Sequence, residues 1–231
     1  MTIELYSWPT PNGHKVHIML EECELPYLVH SVDIGRGEQF DPKFLAISPN
    51  NKVPAIVDPE GPDGRPISLF ESGAILTYLA ARTGRFLPAD DRGKWVALQW
   101  LMFQMGGVGP MLGQAHHFRQ YAPEPIEYAI ARYTKEANRL YGVMDLRLAQ
   151  ARFFAGATYS IADIAIYPWT RYHERQGVDL AHYPHLRRWY EEVGARPAVQ
   201  RGIQVLASER RTLTDDKARE ALFGATQYQR R

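Results

Sequence analysis

Residues 48–58 read Ser48-Pro49-Asn50-Asn51-Lys52-Val53-Pro54-Ala55-Ile56-Val57-Asp58, and residues 67–76 read Ile67-Ser68-Leu69-Phe70-Glu71-Ser72-Gly73-Ala74-Ile75-Leu76. Val53–Val57 and Ile67–Phe70 are short apolar runs of strand length. The segment between them, Asp58–Pro66, is rich in proline and glycine and suits an antiparallel hairpin. From Glu71 to Thr83 the period changes, and Ile75, Leu76 and Leu79 fall on one helical face. Working outward toward the N-terminus, Ile3–Ser7 and Tyr27–Ile34 read as strands. Lys15–Glu24 reads as a helix with Val16, Met19, Leu20 and Cys23 on one side. Trp8-Pro9-Thr10-Pro11-Asn12-Gly13 reads as a turn, and Pro42–Ile47 as one or two helical turns. The order is β-α-β-α-β-β-α.

Working outward in the other direction, Gly84–Gly93 is a linker with Gly84, Pro88 and Asp90-Asp91 as breakers. Everything beyond it has helical periodicity. Trp95, Leu98, Leu101, Met102, Met105 and Val108 form one apolar stripe. Ile126, Ile130, Tyr133, Ala137, Leu140, Met144 and Leu148 form another. Gly106-Gly107-Val108-Gly109-Pro110 interrupts the first stripe, which predicts a bent helix, a widened cleft, or two helices with a turn between them. Ser160-Ile161-Ala162-Asp163 is an N-capping pattern ahead of an apolar run. The expected division is an α/β region over 1–85, an all-helical region over 93–208 and a polar tail over 209–231, mobile unless it docks.

The charge balance narrows the partners. Lys and Arg total 27 against 26 Asp and Glu, a net +1. Such a chain lacks the basic excess with which nucleic-acid binders neutralise phosphates. No apolar run approaches the roughly 20 residues that cross a bilayer, so no membrane association is expected. The N-terminal stretch lacks a basic-then-apolar layout, and a cytoplasmic location is expected. The single cysteine, Cys23, excludes an internal disulfide, a paired-cysteine redox motif and a cysteine zinc cluster. Cys23 lies on the apolar side of the first helix and reads as a core residue. His116-His117 invites a metal reading, but adjacent helical residues point about 100° apart and no further ligand stands nearby in sequence. Lining of a cleft is the expectation for this pair, and no metal is expected.

The segments 49–56, 69–79 and Ser160–Asp163, in this order of elements, resemble a cytosolic glutathione transferase. The likeness extends over about residues 3–207. It implies a thioredoxin-like N-terminal domain followed by a helical-bundle domain. Thr10-Pro11-Asn12-Gly13-His14-Lys15, Ser48–Lys52 and Gly106–Phe118 are further similar to the bacterial nu class, related to Ure2-like proteins. That class implies glutathione-dependent disulfide reduction by a homodimer with glutathione as cosubstrate. Conjugation of glutathione to electrophiles, peroxide reduction, or a non-catalytic glutathione-binding regulatory role are the alternatives.

The resemblance assigns roles residue by residue. Glu71 pairs with the ammonium of glutathione, and Ser72, at a helix N-terminus, with its γ-glutamyl carboxylate. Plain helix capping explains the same two residues equally well. Val53-Pro54 is expected to be cis and to pair with the cysteinyl backbone as an added strand would. Gln39 and Lys52, on neighbouring loops, are assigned to the glycyl carboxylate, although by themselves both read as solvated loop residues. Thr10 and Asn12 are assigned to the thiolate, although both residues also suit an ordinary turn. Tyr6 ranks below Thr10 because it lies inside a strand. Arg132 is assigned to glutathione across a subunit interface, through its fixed fork of donors, although its sequence context alone favours a solvated helix arginine.

Overall fold

The computed structural model describes residues 2–210 and 215–229. Contacts divide the chain into two compact units, Met1–Ile75 with Arg201–Arg231, and Leu76–Gln200. The α/β part of the first unit contains β1 (Ile3–Ser7), α1 (Pro11–Cys23), β2 (Tyr27–Ser31), α2 (Pro42–Leu45), β3 (Ala55–Asp58) and β4 (Ile67–Phe70). α3 (Ser72–Thr83) follows directly. The sheet order is β2-β1-β3-β4, with β1 parallel to β2 and antiparallel to β3, and β3 antiparallel to β4. This is the order of elements expected for a thioredoxin-like domain.

β1 alternates as a half-buried strand should. Ile3, Leu5 and Ser7 are buried, while Tyr6 turns to the other face and joins Val32, Phe44 and Ala55. α1 differs from the expectation in two respects. It begins at Pro11 rather than Lys15, because Thr10 caps it and proline is compatible with a first helical position. It is also buried on every side from Gly13 to Leu20. One contributor is α9 (Pro197–Gln204), whose Gly202 lies so close that an added Cβ would stand 2.7 Å from Ile18 Cα. The tail is not free of contacts. α10 (Asp216–Phe223) buries Ala218 and Ala221 within the first unit.

The second unit is helical, as expected. α4 (Asp91–Phe103) runs through a π-helical turn over Gln104–Val108 into α5 (Gly109–Gln120). The glycine-rich interruption is therefore a widened helix and not a break between two separate ones. The predicted α4 stripe divides between two directions. Leu101 and Val108 are in the core, whereas Trp95 and Met102 are 66% and 58% exposed. α6 (Glu127–Gln150) buries Ala137, Leu140, Met144 and Leu148, but Ile126 just ahead of it is exposed. α7 (Ile161–Thr170) opens with the expected capping box. Asp163, fully buried, also accepts from Phe154 N at 3.1 Å and from Trp189 Nε1 at 2.8 Å, which ties α7 to α8 (Pro184–Gly194). Burial pushes its carboxyl up to about 6 against these four donated hydrogen bonds. Among the described residues, no helix is long and apolar enough to cross a membrane.

Candidate functional site

Strand register gathers the predicted residues at one end of the sheet. Tyr6 pairs with Ala55, and Ala55 pairs with Phe70. The chain therefore leaves β1 at Ser7, enters β3 from Pro54 and leaves β4 at Glu71, all at the same edge. Two helices, α1 and α3, start from this edge, so their unpaired N-terminal N–H groups and positive dipole ends converge there. The peptide bond Val53-Pro54 is cis, as expected from the resemblance.

Thr10 Oγ1 accepts from Gly13 N at 3.1 Å and so caps α1. Asn12 sits in the first turn of that helix, half-buried. Both residues thus belong to a helix N-terminus instead of the free turn expected from sequence. Gly13 explains how close the helix comes to the strand end. A Cβ at this position would stand 2.1 Å from the Trp8 carbonyl oxygen and 2.8 Å from Ser7 Oγ. Ser7 is in turn held by His17, whose Nε2 lies 2.8 Å from Ser7 Oγ. Burial, with His14 adding to it, lowers the His17 pKa to about 3, so this imidazole is neutral at ordinary pH.

Glu71 has φ of +69°, in the left-handed region that a non-glycine residue enters only when its surroundings require it. Its carbonyl accepts from Ile75 N at 3.0 Å, the first bond of α3, and its carboxylate accepts from Asn50 Nδ2 at 3.4 Å. The side chain stays exposed. Ser72, the first residue of α3, is 4% exposed. Lys15 Nζ donates to Ser72 Oγ at 3.2 Å. Lys15 is itself 1% exposed, and burial lowers its pKa to about 7, with Glu71 acting the other way. On the neighbouring loop Lys52 is exposed, and desolvation lowers its pKa too.

Gln39 lies elsewhere in the solvent balance than a loop residue should. It is 2% exposed, and its Nε2 donates to Ala221 O at 3.3 Å, while Oε1 has no hydrogen-bond partner among the described residues. The C-terminal segment reaches the other loop as well, where Gln227 Nε2 donates to Asn51 Oδ1 at 2.9 Å. Arg132 belongs to the second unit. It is exposed on α6, with Glu136 one turn away at 3.9 Å. His116 packs with Tyr121 and Tyr172, and burial lowers its pKa to about 4. Among the described residues, no group of three His, Cys, Asp or Glu side chains is arranged to hold a metal ion.

The glutathione S-transferase N-terminal-domain profile matches residues 1–81, and the C-terminal-domain profile matches residues 110–197. The chain belongs to the glutathione S-transferase family. Within that family it is 54% identical over 202 residues to the disulfide-bond oxidoreductase YfcG of Escherichia coli, covering 87% of this chain and 94% of that protein. A solved glutathione transferase of Burkholderia graminis carries two glutathione molecules per subunit. It is 47% identical, covers 88% of each chain, and superposes with a TM-score of 0.84. One from Pseudomonas putida carries one glutathione disulfide per subunit. It is 46% identical, covers 88% of this chain and 91% of that one, and has a TM-score of 0.84.

Four residues at the sheet edge of this family member were not legible in the sequence. Lys15 had one signal, since it is the only Asp, Glu, Lys or Arg between Pro11 and Leu20. Gly13 and the Ser7–His17 pair had none, because their roles depend on how closely α1 approaches the end of β1.

Proposed function

We propose that this chain is a glutathione-dependent disulfide-bond reductase of the nu class, working as a cytoplasmic homodimer. The observation that carries the reading is the convergence at one sheet edge of the α1 N-terminus, cis Val53-Pro54 and the Glu71-Ser72 step. The spacing follows the order of groups in glutathione. Ser72 and the start of α3 take the γ-glutamyl carboxylate, and Glu71 takes the ammonium. The Val53 backbone pairs with the cysteinyl unit, and Lys52 lies toward the glycyl carboxylate. Gln39 joins Lys52 there once the contact with Ala221 opens.

The chemistry lies at the thiol. Thr10 Oγ1 already accepts from Gly13 N, so its own proton is left to donate. Donation from Thr10 and Asn12 to glutathione sulfur, at a helix N-terminus, favours the thiolate. That thiolate attacks one sulfur of the substrate disulfide, and the other sulfur leaves as a thiol. A second glutathione thiolate then resolves the mixed disulfide. The products are glutathione disulfide and two substrate thiols, and both electrons come from glutathione. The relatives that carry two glutathione molecules or the disulfide fit this stoichiometry. The lone cysteine, Cys23, is buried at 7% exposure and takes no part.

Support for the homodimer comes from the apolar surface of the second unit. Trp95, Met102 and Leu146 are 66%, 58% and 68% exposed, and a hollow between α4 and α6 is lined by Val96, Trp100 and Val143. Such a patch is characteristic of an interface. Arg132 reaches glutathione from the second subunit in this reading. The deciding experiment compares turnover of 2-hydroxyethyl disulfide and of chlorodinitrobenzene, each with glutathione. Disulfide turnover well above conjugation supports the proposal. Conjugation alone overturns it.

A further inference from the structure

Gln39 is 2% exposed, although it belongs to the connection between β2 and α2. Part of its cover comes from the far end of the chain, within the same compact unit. Ala221 O of α10 accepts from Gln39 Nε2 at 3.3 Å, while Gln39 Oε1 has no hydrogen-bond partner among the described residues. Beyond α10, Gln227 Nε2 donates to Asn51 Oδ1 at 2.9 Å, next to Lys52. The C-terminal element therefore rests on both loops whose residues are assigned to the glycyl carboxylate. A side chain so enclosed meets no ligand until its cover moves. We infer that α10, with the turn Ala225–Tyr228, is a strap over the glycyl end of the glutathione site. Glutathione and the strap compete for Gln39 and for the Asn51-Lys52 loop. This rests on the glutathione site proposed above.

The strap is well organised in itself and lightly seated. Asp215 caps α10 by accepting from Ala218 N at 2.9 Å. Glu220 accepts from Thr226 N at 3.1 Å and from Thr226 Oγ1 at 3.0 Å, which ties the following turn to the helix. The side chains that α10 buries are those of Ala218 and Ala221, whereas Phe223 and Tyr228 stay exposed. Two methyl groups remove little apolar surface from water. Closure also leaves two buried amide oxygens, Gln39 Oε1 and Gln227 Oε1, without hydrogen-bond partners among the described residues. Both are better satisfied in water, which favours opening. Elements with so few apolar contacts are the ones that open locally. With eight residues, α10 is too short to hold a helix alone in water, so a lifted strap loses its helix.

The test is amide hydrogen exchange of the full-length protein with and without saturating S-methylglutathione, read over Asp216–Phe223, beside calorimetric affinities. Ligand is expected to speed exchange in α10, because the strap lifts as the site fills. Two variants loosen the strap from outside the glutathione site. Gln227→Ala removes the bond to Asn51 and should tighten binding about two- to tenfold, the worth of one hydrogen bond. Ala218→Arg sets a long charged side chain where a fully buried alanine sits. It should tighten binding about tenfold and speed α10 exchange without ligand. Exchange in α10 that S-methylglutathione leaves unchanged or slows overturns the strap. So does an affinity that neither variant raises. Should Ala218→Arg not fold, Gln227→Ala and the wild-type exchange measurement decide. Absence of binding by wild type and variants overturns the glutathione site and the competition with it, whereas binding with α10 still protected overturns the strap alone.

Discussion

Replacing Gly13 by alanine tests whether the closeness of α1 to the end of β1 is what makes the thiol end of the site. The added methyl carbon would stand 2.1 Å from the Trp8 carbonyl oxygen, at least 1 Å inside ordinary contact. That oxygen is backbone, and it already accepts from Thr10 N at 2.7 Å, so it cannot swing away as a flexible side chain would. Relief requires the first turn of α1 to shift by roughly 1 Å, carrying Thr10 and Asn12 with it. Overpacking of this kind costs about 1–3 kcal/mol, and a clash with backbone belongs at the upper end. In a chain of this size about 3 kcal/mol lowers Tm by roughly 6–12 °C. A displacement near 1 Å at reacting groups costs on the order of a hundredfold in turnover. The expected result is a kcat for 2-hydroxyethyl disulfide that falls far more than the KM for glutathione rises, since in the proposed site Glu71 and Ser72 hold the opposite end. Thermal unfolding and the coupled assay with glutathione reductase and NADPH measure the two effects. A Gly13→Ala protein with wild-type Tm and kcat would refute the reasoning.

At Gly142, where an added Cβ meets nothing within 4 Å, alanine should stabilise α6 by about 0.5–1 kcal/mol and raise Tm. Ser72→Ala should raise the KM for glutathione about tenfold with kcat nearly unchanged, as expected for uniform binding; loss of kcat at saturating glutathione would contradict that role. Cys23→Ala should keep full disulfide reduction and lose about 1 kcal/mol of stability, whereas a trapped mixed disulfide on Cys23 would point to a monothiol route. Arg132→Ala should weaken glutathione binding in a protein that light scattering shows to be a dimer; a monomer, or unchanged affinity, would end the shared-site idea. Stability of Lys15→Met against pH tests the burial of the Lys15 charge. The folded Lys15 pKa of about 7 lies below its ordinary 10.5, so between these values the unfolded chain binds more protons. Wild type should therefore gain on Lys15→Met as pH rises through that window, by on the order of 5 kcal/mol at most, with the burial penalty complete below pH 7. Parallel stability curves from denaturant titrations would show that the charge is not buried as described.

The order of elements and the hairpin after Pro54 were legible in the sequence because they depend on local spacing: period two in the strands, three to four in the helices, and prolines and glycines between. The capping box at Ser160–Asp163 was legible for the same reason, since both its partners lie within one turn. Residues 53, 54, 71 and 72 were legible as a set through the resemblance, which carries the cis peptide and the strand-to-helix step with it. Local spacing cannot report distances between segments far apart in sequence. Lys15 and Ser72 are 57 residues apart, and only the packing of α1 against the sheet brings them to 3.2 Å. The same holds for Gln39, which reads as a loop side chain until Ala221, from the far end of the chain, closes over it. Trp95 and Met102 fit a helical stripe by spacing, yet spacing does not say which neighbour covers it, and within this chain they face outward. The sequence by itself determined which elements form and which residue types stand at their ends. The tertiary structure decided burial, because burial depends on what other segments bring to a residue, and with it the desolvation that lowers the Lys15 pKa.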